Sequence, residues 1–252
     1  HSLSPKLQNY WLKQKNIDAV YDKKKLEENE IEGIIHDIKK QKIAGCNVTV
    51  PYKKKVIPFL DKLSNQAEQT QSVNTIIFEK GNLVGYNTDI VGFDRAIKSL
   101  NFDIKNKKVL ILGAGGVVSS IVFALKKMNI SNITISNRTK QKAENLKIIF
   151  KNLNIVEWGN LPDFDVVINA TSLGLNNENL NLDFSKAGKN KLFYDVIYNP
   201  AETNFLKKGK ELGNKTENGK LMFIYQALEA FRIWHKIEPE INSETLGLLD
   251  ND

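Results

Sequence analysis

The pattern of apolar positions divides the chain into a regular middle and less regular flanks. In the middle, short continuous apolar runs alternate with segments of helical period. KVLIL (108–112), bounded by lysines and a glycine, predicts a buried strand. Beyond the glycines that follow it, Val117, Val118, Ile121, Val122, Leu125 and Met128 recur at the spacing of one helix face. NITIS (132–136) predicts a second strand and TKQKAENLKIIF (139–150) a second helix. FDVVINA (164–170) and LFYDVIY (192–198) predict further strands. Runs that are apolar at every position suit strands covered on both faces of a parallel sheet. Strand, glycine turn, helix, strand is a βαβ unit, with a right-handed crossover. The flanks read differently. LEENEIEGIIHDIKK (26–40) predicts a helix with Leu26, Ile31, Ile34, Ile35 and Ile38 near one stripe. AGCNVTV (44–50) predicts a strand, and VNTIIFEKGNLVGYN (73–87) a hairpin turning at Lys80-Gly81-Asn82. GKLMFIYQALEAFRIWH (219–235) is a strongly apolar helix. The expectation is an α/β protein of two lobes, the last helix returning to the first.

Composition narrows the partners. The 252 residues suffice for one large domain or two modest ones. No window approaches the run of about 18 apolar residues that a membrane helix needs, and no secretory signal is read at the start. With one cysteine, Cys46, neither an intramolecular disulfide nor a Cys-pair zinc site can form within the chain, and a reducing cytoplasm is the simplest compartment. The net charge of +7 raises nucleic acid as a partner, but only Arg95, Arg138 and Arg232 are arginine and the lysines are spread along the chain. Without a basic cluster and a recognition motif, the charge reads as a solvated surface whose mild positive field favours small anions. His1, His36 and His235 have no metal-ligand spacing, so no metal is expected.

Gly113-Ala114-Gly115-Gly116 and Val117 join the first strand of the middle segment to its helix. Glycines there permit a tight turn and let a diphosphate approach the helix N-terminus. The third glycine of the usual fingerprint is replaced by Val118. An ordinary strand–helix turn is the plain alternative, and the surrounding βαβ frame favours a dinucleotide. An NAD site usually carries a carboxylate at the end of the next strand. This chain has Asn137-Arg138-Thr139, followed by Lys140 and Lys142. A guanidinium can bind a ribose phosphate bidentately, which argues for NADP, unless Arg138 only caps a loop.

HSLSP (1–5), NVTVPYK (47–53), VNT (73–75), GYNTDIVGF (85–93), GAGG (113–116), NRT (137–139), NATSLG (169–174), DVIYNP (195–200) and NGKLMFIYQA (218–227) stand in one order and spacing. On these stretches the chain resembles the shikimate dehydrogenase family along almost its whole length. The resemblance implies reversible reduction of 3-dehydroshikimate to shikimate by NADPH, on the route to aromatic amino acids. It implies a substrate-binding lobe (1–88, completed by 219–252) and a Rossmann-like, doubly wound NADP-binding lobe (89–218), with the site in the cleft between them. It also implies a first strand ahead of His1.

The resemblance implies these site residues. Ser2 and Ser4 would bind the substrate carboxylate; in an extended segment, residues two apart share a face. Asn47 and Thr49 repeat that spacing on a strand and would bind ring hydroxyls, with Asn74 and Asp89. Pro51, which has no N–H to donate, would end the strand ladder and let the chain aim Lys53 at the reacting carbonyl. Lys53 and Asp89 form the expected catalytic pair: an ammonium supplies a proton to the developing oxyanion and stabilises its charge, while a carboxylate holds the ammonium. Asp89 can also cap the helix IVGFDRAIKSL. Met222 and Gln226, four apart on a helix, share a face; Gln226 would meet the substrate, Met222 the nicotinamide and Gly219 its carboxamide. Tyr198 would line the substrate side. Asn169, Thr171, Ser172 and Leu173 follow a strand end, where open α/β sheets bind ligands, and Ile197 joins the cofactor set. Val118, Leu175 and Lys220 depart from the family's pattern. The competing readings are a quinate/shikimate dehydrogenase using NAD, decided by cofactor preference, and a non-catalytic relative, which would have lost the Lys–Asp pair. A monomer or homodimer is expected.

Overall fold

A computed structural model describes residues 2–250, so His1 of HSLSP lies outside the described residues. The chain forms two units, one running up to Gly92 and resuming at Ile224, the other spanning Phe93–Phe223. Both divisions fall inside helices, Asp89–Ser99 and Lys220–His235, a few residues beyond the boundaries read from sequence.

In the first unit, α1 (Ser4–Gln14) carries Pro5 in its opening turn, where a missing N–H costs no helical bond. It buries Leu7, Gln8, Trp11 and Leu12, one helical stripe. This corrects the extended reading of Ser2–Ser4: Ser4 is already helical, and its N–H donates to the Ser2 hydroxyl at 3.2 Å. The helix α2 (Ile31–Lys39) buries Ile31, Ile35 and Ile38. Ahead of it lies a short 3-10 turn, Glu28–Glu30, closed by reciprocal bonds between Glu27 and Glu30.

The strands β1 (Gly45–Asn47), β2 (Lys62–Leu63), β3 (Thr75–Glu79) and β4 (Asn82–Tyr86) form a sheet in the order β1-β3-β4-β2. Helix α3 (Asn65–Thr70) is capped by Ser64. The hairpin stands as read, with Lys80 and Gly81 both at positive φ, as a two-residue turn requires. The α2 isoleucines meet Val56, Ala67, Val73, Ile76 and Leu83 from the sheet side. Truncating fully buried Ile38 to Ala would cost ~2–5 kcal/mol. The last helix joins this core: Trp11 meets Phe231 edge-on at 5.8 Å, Gln8 donates to the Ala227 carbonyl at 2.9 Å, and Trp234 donates to the Ile76 carbonyl at 3.2 Å.

The second unit opens within α4 (Asp89–Ser99). Its remaining elements are β5 (Lys108–Leu112), α5 (Val118–Lys127), β6 (Asn132–Asn137), α6 (Lys140–Ile149), β7 (Asn154–Glu157), β8 (Val166–Asn169), β9 (Leu192–Asp195), α7 (Asn204–Glu211), β10 (Lys215–Glu217) and the start of α8 (Lys220–His235). Among the described residues the six strands are all parallel, in the order β10-β9-β8-β5-β6-β7. Counted from β5, this is the doubly wound order of dinucleotide-binding sheets, and it reverses between β5 and β8. Ligands bind such sheets outside the strand ends at that reversal, and the turns after Leu112 and Asn169 lie there. A phenylalanine cluster (Phe164, Phe184, Phe193, Phe205) fills one face of the sheet. The edge strands β7 and β10 escaped the sequence reading because edges are half-exposed and need no continuous apolar run. Among the described residues, no helix is long and apolar enough to cross a membrane.

Candidate active site

In the first unit the polar residues singled out from the sequence converge. The strand expected over 44–50 stops at Asn47. One further bond, from the Val48 N–H to the Asn74 carbonyl, follows before the chain turns. Tyr52 N–H donates back to the Thr49 carbonyl at 2.9 Å, closing a four-residue turn around the cis Val50–Pro51 peptide. Thr49 is therefore an exposed turn residue, no longer paired in register with Asn47. The Lys53 carbonyl accepts the Val73 N–H at 2.8 Å, and the Tyr52 hydroxyl donates to the Leu26 carbonyl at 3.0 Å. These bonds fix the backbone from which Lys53 projects.

The Lys53 ammonium lies 2.5 Å from Asp89 Oδ2, with both side chains largely buried, 13% and 8% exposed. Lys54 and Lys55 are exposed, and Lys55 pairs with Glu28. Asp89 is the first helical residue of α4, and its own N–H donates to Asn87 Oδ1 at 3.1 Å. Its second oxygen accepts from Asn74 Nδ2 at 3.1 Å. Asn74, itself buried, also donates to Thr88 Oγ1 and accepts the Thr88 N–H at 2.8 Å. Asn47 donates to the Asn74 carbonyl and to Thr75 Oγ1, each at 3.0 Å. The N–H groups of both amides are thus already used within the protein. Tyr21, which sequence reasoning missed, donates its hydroxyl to Asn47 Oδ1 at 2.8 Å and also meets the Ser4 side chain. Burial pushes the Tyr21 hydroxyl up to about 12, so it stays a donor at neutral pH. No local pattern marks it, because its partner lies 26 positions away in the chain. Gln226, on α8, is half-buried.

The second unit presents a separate constellation at the sheet reversal. Gly113 has φ +111°, and a Cβ there would lie 2.8 Å from the Ala170 carbonyl oxygen. Only glycine fits that turn. Gly115 and Gly116 are exposed, and a Cβ on Gly115 would come no nearer than 3.9 Å to that same oxygen. The bare backbone at 115 therefore serves no packing need, which suits a ligand's approach. Ala114 and Val117 are half-buried. Val118, the departure from the glycine fingerprint, is fully buried as the first residue of α5 and so packs inward. At the end of β6, Asn137 Nδ2 closes the turn on the Thr139 carbonyl at 2.7 Å. Arg138 and Lys142 are exposed, and neither side chain has a partner among the described residues, so Arg138 caps no loop there. The donor set fits a phosphorylated dinucleotide: glycine backbone for the diphosphate, and a guanidinium with an ammonium nearby in sequence for a further phosphate.

After β8, Asn169 Oδ1 accepts the Thr171 N–H at 3.1 Å and its hydroxyl at 2.7 Å, and Thr171 Oγ1 accepts the Leu173 N–H at 3.1 Å. Ser172 is exposed between them. Leu175, the second departure, is half exposed just beyond this loop. Gly219 donates to the Ile197 carbonyl at 3.0 Å, and a Cβ on it would lie 2.0 Å from the Val196 carbonyl oxygen. Lys220, the third departure, opens α8, with its N–H on Asn218 Oδ1. Met222 is buried. Tyr198 stacks on Phe223 at 4.6 Å, and burial pushes its hydroxyl up to about 12. Among the described residues no cluster of His, Cys, Asp and Glu could hold a metal ion.

Comparison with known proteins shows what the chain is similar to. Residues 1–76 match the family described as shikimate dehydrogenase substrate binding domain, and residues 94–198 the family described as shikimate / quinate 5-dehydrogenase. The chain is 57% identical over 251 residues to the shikimate dehydrogenase (NADP(+)) of Pelagibacter ubique (strain HTCC1062), covering 99% of this chain and 95% of that one. Its fold is similar to that of shikimate 5-dehydrogenase from Thermus thermophilus in complex with NADP(H) and shikimate, with TM-score 0.90 and 29% identity, covering 99% and 94% of the two chains. It is similar, too, to shikimate dehydrogenase from Aquifex aeolicus, with TM-score 0.88 and 35% identity, covering 100% and 94%.

Proposed function

We propose, because the chain belongs to the shikimate dehydrogenase family, that it reduces 3-dehydroshikimate to shikimate with NADPH and runs the same step in reverse. The observation that carries this reading is the buried Lys53–Asp89 pair, braced by Asn74. The glycine turn at 113–116 would hold NADPH, which when bound would supply a hydride to the substrate's carbonyl carbon. As the C=O π electrons move onto oxygen, Lys53 gives that oxygen a proton; its N–H bond breaks, an O–H bond forms, and the amine regains a proton from water. Lys53 also opposes the charge that develops on the oxygen before the proton arrives. Asp89 holds the ammonium in place, and Asn74 holds Asp89.

Ser2 and Ser4 take the substrate carboxylate, the latter from the first turn of α1. Thr49 and Gln226 take ring hydroxyls. A ring hydroxyl that engages Asn74 does so by replacing its bond to Asp89 or Thr88. Asn47 and Tyr21 keep that frame in register. Such a site rejects analogues lacking a hydroxyl, since its own polar groups would be left unpaired. Gly113, Ala114, Gly115, Gly116 and Val117 cradle the diphosphate. Asn137, Arg138, Thr139 and Lys142 receive the ribose phosphate, which selects NADP. Thr171, Ser172, Leu173, Ile197, Gly219 and Met222 serve the nicotinamide end. The same reading puts the enzyme in the cytoplasm, as a monomer or homodimer acting on small molecules rather than nucleic acid.

The test is Lys53→Ala, with turnover followed at the NADPH absorbance band. The loss of kcat should be about 10²–10⁴-fold. Turnover of dehydroshikimate at the wild-type rate would overturn the reading.

A further inference from the structure

Asp89 and Asp195 are the carboxylates buried below one-tenth exposure among the described residues. Asp89 faces a cation, whereas Asp195, at the end of β9 and fully buried, meets only neutral donors. Thr203 Oγ1 donates to its Oδ2 at 2.6 Å, the Ile197 N–H to its Oδ1 at 3.0 Å, and Asn169 Nδ2 to both oxygens at 3.1 and 3.2 Å. Burying a carboxylate without a countercharge is costly, and a core needs no such group for packing alone.

Two of the three donors lead toward the cofactor set, while Thr203 caps α7 by accepting the Leu206 N–H at 3.4 Å. Asn169, held by Asp195 through its Nδ2, holds Thr171 through its Oδ1 and also donates to the Leu173 carbonyl at 3.1 Å. Thr171 and Ala170 lie against Gly113, within reach of any Cβ placed there. Ile197, whose N–H is on Asp195, accepts the Gly219 N–H at its carbonyl. One carboxylate therefore fixes the loop after β8, the segment after β9 and the start of α8 relative to one another.

We infer that Asp195 is a positioning residue for the dinucleotide, its carboxylate joining the segments 169–173, 195–197 and 219 into one rigid rim against which the nicotinamide end is held. This rests on the proposed NADP-dependent reading. An asparagine at 195 keeps the shape but turns one acceptor into a donor, and an N–H then faces groups that themselves donate.

The experiment measures NADPH affinity of the intact chain by fluorescence titration, together with both KM values, kcat and the melting temperature. Asp195→Asn should raise the NADPH Kd and the NADP⁺ KM by roughly 10- to 100-fold, the size expected for a lost bond to a charged group. The KM for shikimate should stay within about twofold, because Lys53, Asn74 and Asp89 hang from a different network. Thr203→Val, which removes one donor to Asp195 from a residue itself fully buried, should weaken NADPH by roughly fivefold, and Thr203→Ser should restore it. Wild-type NADPH affinity in Asp195→Asn would overturn the inference, as would a rise in both KM values together with a fall in kcat and melting temperature. If Asp195→Asn does not fold, the Thr203 pair decides, and Thr203→Val binding NADPH as tightly as wild type refutes the assignment. Failure of the wild-type chain to bind NADPH would instead bring down the NADP-dependent reading itself.

Discussion

The two buried carboxylates stand in different units and face opposite environments. Asp89, in the first, pairs with the Lys53 ammonium and takes one amide from Asn74. Asp195, in the second, is surrounded by a hydroxyl, a backbone N–H and a side-chain amide. Similar burial of the same side chain gives two uses. On the proposed reading, the carboxylate beside a cation holds a proton donor where chemistry needs it, and the carboxylate among neutral donors ties loops together. Burial alone therefore does not separate a reactive group from a structural one; its partners do.

The comparison is most sharply tested by removing charge at each site. After Lys53→Ala itself, the largest effect should come from Asp89→Asn, which leaves the buried ammonium unpaired and its position loose. We expect kcat to fall by roughly 10²–10³-fold with NADPH affinity unchanged, read by single-turnover absorbance and by binding titration. An Asp89→Asn variant that loses NADPH affinity instead would erase the distinction between the two carboxylates. Next in size is Arg138→Ala in the second unit. Its exposed, partnerless guanidinium is available to a ribose phosphate, so the ratio of kcat/KM for NADP⁺ over NAD⁺ should drop by roughly 10- to 100-fold, with kcat nearly constant.

The smallest effect is on stability. Burial pushes the Asp195 carboxyl up to about 6, against the lowering pull of Thr203, Ile197 and Asn169. Its titratable neighbour is Tyr194 on the same strand, and the donors that reach Asp195 are all neutral. A folded-state value above the unfolded one means that the folded form binds the proton more tightly. The stabilisation is complete below about pH 4 and is lost as pH rises through about 6. Wild type should therefore gain on Asp195→Asn as pH falls from 7.5 to 4.5, by at most ~3 kcal/mol, in paired urea unfolding curves. A difference that does not change with pH would mean that Asp195 carries the same charge in both states.

How much of this was legible beforehand differs between the units for the same physical reason. In the second, β5, β6, β8 and β9 were read within a few residues, because strands covered on both faces must be apolar throughout, and that is a local property of the chain. The glycine turn was legible because φ +111° and the contact with Ala170 admit no side chain. The hairpin at Lys80–Gly81 was legible for a similar local reason. In the first unit α1 went unread: its buried stripe includes Gln8, a polar residue inside only because Ala227 accepts its amide. The strand at Asn47 ended early because its partner β3 begins at Thr75, a matter of pairing rather than propensity.

Composition and period alone settled the alternation of strand and helix, the parallel sheet, the turn that needs glycine and the basic residues at the end of β6. Which amides were spent inside the protein, which hydroxyl joined Asn47 and which carboxylate met a cation were decided by contacts between residues far apart along the chain, 26 positions for both Tyr21–Asn47 and Asn169–Asp195, and 36 for Lys53–Asp89. Periodicity reports the direction in which a side chain leaves its own helix or strand; a hydrogen bond also needs the position of its partner, and only the folded chain supplies that.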